Sequence, residues 1–174
     1  PQYNALTGDL VGAEALVRWR HPEKGMLPPD RFIPIFQRNG FIGKLDSYVW
    51  QKACALLSRW ADSGLEPVPV AVNISREDLC SGTLLDTLAD LTGRYGVSPS
   101  LLRLEISESA YYDAPARVIE TVRGLQRAGF TVEMADMGKG HASLRALKDV
   151  PVDLIKLDVR FFSNDEESGR GGRL

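Results

Sequence analysis

The chain has 174 residues, with 21 Lys plus Arg against 23 Asp plus Glu, 44% hydrophobic residues and a formal net charge of −2. These are the proportions of an ordinary globular domain, and the near balance of charge excludes a mechanism that depends on bulk attraction to nucleic acid or to an anionic membrane. No apolar run has spanning length and no basic–apolar leader is present, so a cytoplasmic location is expected, with a membrane-anchored parent protein still allowed.

In chain order, PQYNALTGDLVGAEAL reads as a hairpin turning at Thr7, Gly8 and Asp9, whose second arm runs into a first parallel strand, VGAEALVRW. A helix pair follows. Between residues 43 and 63, Leu45, Val49, Ala53, Leu56 and Trp60 recur at steps of three and four, which predicts one apolar stripe against a sheet, with Gly64 as the stop. Next come the strand VPVAVNIS, a helix, the strand LLRLEIS, and a second amphipathic helix carrying Val118, Val122 and Leu125 that ends at Gly129. The strand FTVEMAD, a short helix and the strand VDLIKLD complete the pattern. Strands alternating with helices predict an α/β fold with a parallel sheet, each helix serving as a crossover.

The stretch SNDEESGRGGRL has no apolar periodicity, so residues 163–174 are expected to be a flexible polar tail or loop. A parallel sheet ending on VDLIKLD would carry an open edge, so the chain reads as incomplete for the fold it begins. Cys54 and Cys80 have no CxxC or His partner spacing and read as two free thiols.

Polar residues interrupt the strands at telling places. Glu14, Asn73, Glu105 with Glu108, Asp136, and Lys156 with Asp158 all lie at or near the C-terminal ends of predicted parallel strands. In a β/α barrel those ends share one mouth, where carboxylate and amide oxygens from separate strands can converge on a cation such as Mg²⁺ or Mn²⁺. Each residue also has a plainer reading. A strand-end carboxylate can cap the next helix, Asn73 with Ser75 can start the helix containing Asp78 and Leu79, and Lys156 can snorkel to water. Recurrence on one end of the sheet favours the shared site, because independent caps would not all need that side.

The segment GAEALVRWRHPEKGMLPPDRFIPIFQRNGFI resembles the opening of the EAL domain family, bacterial cyclic-di-GMP phosphodiesterases, with Glu-Ala-Leu at Glu14, Ala15 and Leu16. VNIS, LEISES, ADMGKGHASL in place of the family's DDFGTGYSSL, and PVDLIKLD follow in the family's order, so the resemblance runs from Pro1 to about Phe162. It implies a modified TIM-type (β/α)8 barrel that uses Mg²⁺ or Mn²⁺ to hydrolyse one phosphodiester bond of cyclic-di-GMP, giving linear pGpG. On matching positions it implies Glu14, Asn73, Glu105 and Asp136 as metal ligands, with Lys156 and Glu14 catalytic. Leu16, Arg18, Pro28 and Asp158 would contact the dinucleotide, and Glu108 would support the site. It further implies a homodimer through the loop after Asp136, and GGDEF or sensory domains in a larger parent protein.

Two departures qualify these expectations. Ala135-Asp136 stands where the family has paired aspartates, so one carboxylate is replaced by a methyl group and a two-metal site should be weakened. Met137, Lys139 and His141 also differ from the family's residues, and Lys139 is expected to face water. A full barrel of this type needs ~250 residues, so the chain is expected to be part of a longer protein. The rival expectation is a catalytically degenerate EAL module that binds cyclic-di-GMP, or only a protein partner, without turnover. An unrelated barrel enzyme sharing only the strand-end acids accounts poorly for so many ordered segments.

Overall fold

A computed structural model of the chain describes residues 1–137 and 148–157, with the side chains of Asp113, Asp136 and Met137 outside the description. The first strand, β1 (Gln2–Tyr3), pairs antiparallel with β2 (Leu10–Glu14). The turn between them follows from local chemistry: the Asn4 side-chain oxygen accepts from the Leu6 and Thr7 amides, and Gly8 takes the left-handed conformation at φ 77°. The hairpin is therefore as expected, but its turn lies over residues 5–8 and not at Thr7, Gly8 and Asp9, because the Asp9 carbonyl already accepts from the Asn4 amide across the two arms.

The expected strand VGAEALVRW is broken. β2 stops at Glu14, and Trp19 belongs instead to β3 (Trp19–His21), which pairs with β4 (Gly25–Leu27) as a separate two-stranded ribbon. Trp19 packs edge-on against Phe32, with ring centroids 5.7 Å apart. That aromatic anchor lies outside the main sheet, which is why the apolar run does not continue as one strand. The helix pair is α1 (Ile33–Arg38) and α2 (Ile42–Asp62).

Strand and helix then alternate as expected as far as β7, with two helices in each of the first two crossovers: β5 (Val70–Asn73), α3 (Arg76–Leu79), α4 (Leu84–Tyr95), β6 (Leu102–Ser107), α5 (Glu108–Asp113), α6 (Pro115–Arg127) and β7 (Val132–Met137), followed by β8 (Leu154–Leu157). The short helix expected between β7 and β8 falls largely on residues 138–147, outside the described residues. Strands in the main sheet are ordered β1-β2-β5-β6-β7-β8, and every pairing after β1–β2 is parallel.

Strand periodicity sorts this sheet into two faces. Val70 and Val72, Leu102, Leu104 and Ile106, and Val132 and Met134 form one core cluster with Trp50 of α2, Leu88 of α4 and Val122 of α6. Each such fully buried aliphatic side chain contributes roughly 1.5–3 kcal/mol of hydrophobic stabilisation. The alternate residues, Ala71, Asn73, Arg103, Glu105, Ser107, Glu133 and Ala135, fall in register on the opposite face. This second face is polar, and it carries the chemistry.

On α6, Val118, Val122 and Leu125 are buried as expected, and Gly129 ends the run at φ 91°. On α2 the expected stripe is rotated by one residue. Ile42, Asp46, Trp50, Ala53, Cys54 and Leu57 are buried, whereas Leu45, Val49, Leu56 and Trp60 are only partly so. One position is about 100° of helix rotation, and the charged Asp46 hides the true stripe from an apolar count. Cys54 and Cys80 are free, as expected, and burial pushes the Cys54 thiol up to about 11.

Candidate functional site

A cavity of about 900 Å³ opens over the C-terminal ends of β2, β5 and β6, with Glu14, Asn73, Ser75, Glu105 and Ser107 in its wall. Glu14 is the last residue of β2 and Asn73 the last of β5, and Asn73 stands in register with Glu105 of β6. From β8, the Lys156 ammonium donates to Glu14 Oε2 at 2.8 Å and to Glu105 Oε2 at 2.5 Å. Residues separated by up to 142 positions are thus joined at one point. Lys156 does not snorkel away, and no helix begins at Glu14.

The electrostatics follow from burial and sign. Burial pushes the Glu105 carboxyl above 4.5, Lys156 opposes this, and the neighbouring Glu14 and Glu133 charges add to it. Burial works to lower Lys156, but hydrogen bonds to Glu105 and Glu14 outweigh it and the ammonium is held above 10.5. Lys156 is therefore a fixed cation at neutral pH.

Around Asn73 the chain is pinned residue by residue. The Trp50 indole donates to the Asn73 carbonyl at 3.0 Å, the Ile74 amide donates to the Glu105 carbonyl at 2.8 Å, and the Ser75 amide donates to Asp46 Oδ2 at 3.0 Å. Ser75 is the N-cap of α3, its hydroxyl oxygen accepting from the Asp78 amide at 3.3 Å. Capping thus falls to Ser75, which leaves the Asn73 amide exposed to the cavity.

A second polar layer lies below. Arg103, two residues before Glu105 on the same face of β6, donates to Gln2 Oε1 at 3.2 Å, Glu133 Oε1 at 3.3 Å and the Val11 carbonyl at 3.2 Å. Glu133 is 1% exposed, and its Oε2 has no hydrogen-bond partner among the described residues. Gly12 closes this layer, since a Cβ there would meet Gln2 Oε1 at 2.7 Å and the Pro69 carbonyl at 3.2 Å.

The other expected site residues are placed unevenly. Leu16 lines the cavity, whereas Arg18 and Pro28 stand outside its wall, and the Arg18 guanidinium donates to the adjacent Val17 carbonyl at 2.8 Å. Glu108 is buried at the start of α5 and accepts from the Tyr112 hydroxyl at 2.8 Å. β7 carries Ala135 and Asp136 at an irregularity: Met134 pairs with Ile155 and Met137 with Leu157, so two residues oppose the single Lys156. The Asp136 side chain, Asp158, the loop containing Lys139 and His141, and residues 163–174 lie outside the described residues.

Sequence reasoning passed over Asp46, Trp50, Arg103 and Glu133. The signal for Arg103 and Glu133 was available, since each precedes a singled-out strand position by two. Asp46 and Trp50 carried no such signal, because their role depends on how α2 is rotated against β5.

The EAL domain model matches residues 1–174. An uncharacterized signaling protein of Caulobacter vibrioides is 39% identical over 94% of this chain and 20% of its own length. The cyclic di-GMP phosphodiesterase NbdA of Pseudomonas aeruginosa is 35% identical over 94% of this chain and 21% of its own length. The solved c-di-GMP complex of the PaMucR phosphodiesterase superposes with a TM-score of 0.83 at 31% identity, covering 92% of this chain and 64% of that one. The chain spans about a fifth of the length of these two curated relatives. Its parallel sheet and flanking helices have the TIM-like barrel architecture expected of such domains, with six strands of the main sheet among the described residues. The chain belongs to the EAL domain family.

Proposed function

We propose that this domain hydrolyses one phosphodiester bond of cyclic-di-GMP, giving linear pGpG, in a divalent-metal-dependent reaction. The observation that carries the reading is the meeting of Glu14, Glu105 and Lys156 at 2.8 and 2.5 Å on the wall of the cavity that Asn73 also lines.

The donor set fits a hard divalent cation such as Mg²⁺ or Mn²⁺, being carboxylate and amide oxygen. In the structure the Lys156 ammonium balances the same two carboxylates. Among the described residues no three His, Cys, Asp or Glu cluster around one point, so the set is Glu14, Glu105 and the Asn73 amide, with Asp136 as a further proposed ligand. A bound divalent cation would neutralise phosphoryl oxygens and lower the pKa of a coordinated water. Lys156, which reaches both carboxylates, would orient the attacking water or a phosphoryl oxygen. Leu16 gives the cavity an apolar wall against the dinucleotide, Arg18, Pro28 and Asp158 are further proposed contacts, and Glu108 supports the site from the start of α5.

One observation favours the second reading, a receptor that binds without turnover: Ala135 puts a methyl group beside Asp136, opposite Lys156. Incubation with cyclic-di-GMP and Mn²⁺, followed by product chromatography and calorimetry, separates the two. Conversion to pGpG is expected; binding without product would establish the receptor, and neither would remove both. The proposed setting is a larger signalling protein with GGDEF or sensory units, and a homodimer through the loop after β7.

A further inference from the structure

We infer that Asp46 and Trp50 of α2 are positioning residues that set the Asn73 amide in the cation site by clamping the two peptide groups that follow it. The inference rests on the reading of Asn73 as a metal ligand.

β5 ends at Asn73, so the peptide groups just beyond it lose the neighbours a longer strand would supply. Each is nevertheless bound. The Asn73 carbonyl accepts from Trp50 Nε1 at 3.0 Å, the Ile74 amide donates to the Glu105 carbonyl at 2.8 Å, and the Ser75 amide donates to Asp46 Oδ2 at 3.0 Å. Asp46 and Trp50 are four apart, hence on one face of a single 21-residue helix, and they are 6% and 1% exposed. A fully packed helix therefore grips the two successive peptides after Asn73, and the first of them is also tied through the Ile74 amide to Glu105, the register partner of Asn73. The Asn73 side chain, exposed to the cavity, has only its own two torsions left to fix.

Asp46 is an expensive residue at this position. Burial, with Asp78 adding to it, pushes its carboxyl from 3.8 to about 7, the hydrogen bonds from Ser75 opposing the rise. A role in packing alone would be served by an apolar side chain, whereas an acceptor for the Ser75 amide needs an oxygen. Partners that orient a ligand in this way commonly affect metal affinity by 10–100-fold.

The test uses Mn²⁺ alone as the probe, titrated calorimetrically into the full-length protein and into Asp46→Ala, Asp46→Asn and Trp50→Phe variants whose folding is checked by circular dichroism. Asp46→Ala and Trp50→Phe should each weaken Mn²⁺ binding about tenfold or more. Asp46→Asn should stay within about threefold, because its amide oxygen still accepts from Ser75. Wild-type affinity in folded Trp50→Phe, or an equal loss in Asp46→Asn and Asp46→Ala, would overturn the clamp while leaving the metal reading intact. Absence of Mn²⁺ binding by the wild type would overturn the metal reading, and the positioning role with it.

Discussion

Asp46→Asn should make the protein more stable above neutral pH and leave it nearly unchanged in acid. Asp46 is buried between α2 and the start of α3, with its carboxyl raised from 3.8 to about 7. A folded-state value above the unfolded one means that the folded chain holds the proton more tightly. Below about pH 4 both states are protonated and no difference arises. Between about 4 and 7 the unfolded chain has lost a proton the folded chain keeps, so wild-type stability falls as pH rises, and above 7 the full cost persists. At 1.36 kcal/mol per pH unit, a carboxyl moved from 3.8 to about 7 costs up to about 4 kcal/mol. Asparagine removes that charge and keeps an oxygen for the Ser75 amide. Urea unfolding of wild type and variant at pH 4, 6 and 8 should give a gap that widens with pH, towards about 2–4 kcal/mol at pH 8. A gap independent of pH, or a less stable variant at pH 8, would refute the account of Asp46.

Three further outcomes are expected. Arg103→Met should lose about 3–5 kcal/mol in urea unfolding, because it strands the buried Glu133 carboxylate, and adding Glu133→Leu should recover most of the loss; strictly additive losses would argue against the pair. Gly12→Ala should cost about 1–3 kcal/mol and lower the thermal midpoint, since its Cβ would stand 2.7 Å from Gln2 Oε1 and 3.2 Å from the Pro69 carbonyl, and an unchanged midpoint would mean that this layer yields freely. Ala135→Asp should raise Mn²⁺-dependent hydrolysis of cyclic-di-GMP, and no gain in rate would count against a missing carboxylate as the limiting defect.

The legible part of this site was the part written in single strands. Glu14, Asn73, Glu105 and Lys156 are polar residues near strand ends, and a parallel sheet gathers such ends on one side whatever the details of packing. Their meeting through Lys156 needs only the strand order. Period-two alternation also contained Arg103 and Glu133, but attention to strand ends alone left them out. Asp46 and Trp50 could not be read in this way. Apolar residues surround much of α2, so its rotation is decided by the fit of Trp50 and Leu57 into the core, and only that rotation turns Asp46 inward. The break after Glu14 was hidden for a similar reason, because Trp19 carries strand propensity but is held in its own ribbon against Phe32.

The most direct measurement is production of pGpG from cyclic-di-GMP with Mn²⁺ by wild type and Glu14→Ala side by side. The account predicts product from the wild type and none above background from the variant, which lacks one of the two carboxylates that meet at Lys156. Turnover unchanged by Glu14→Ala would contradict it.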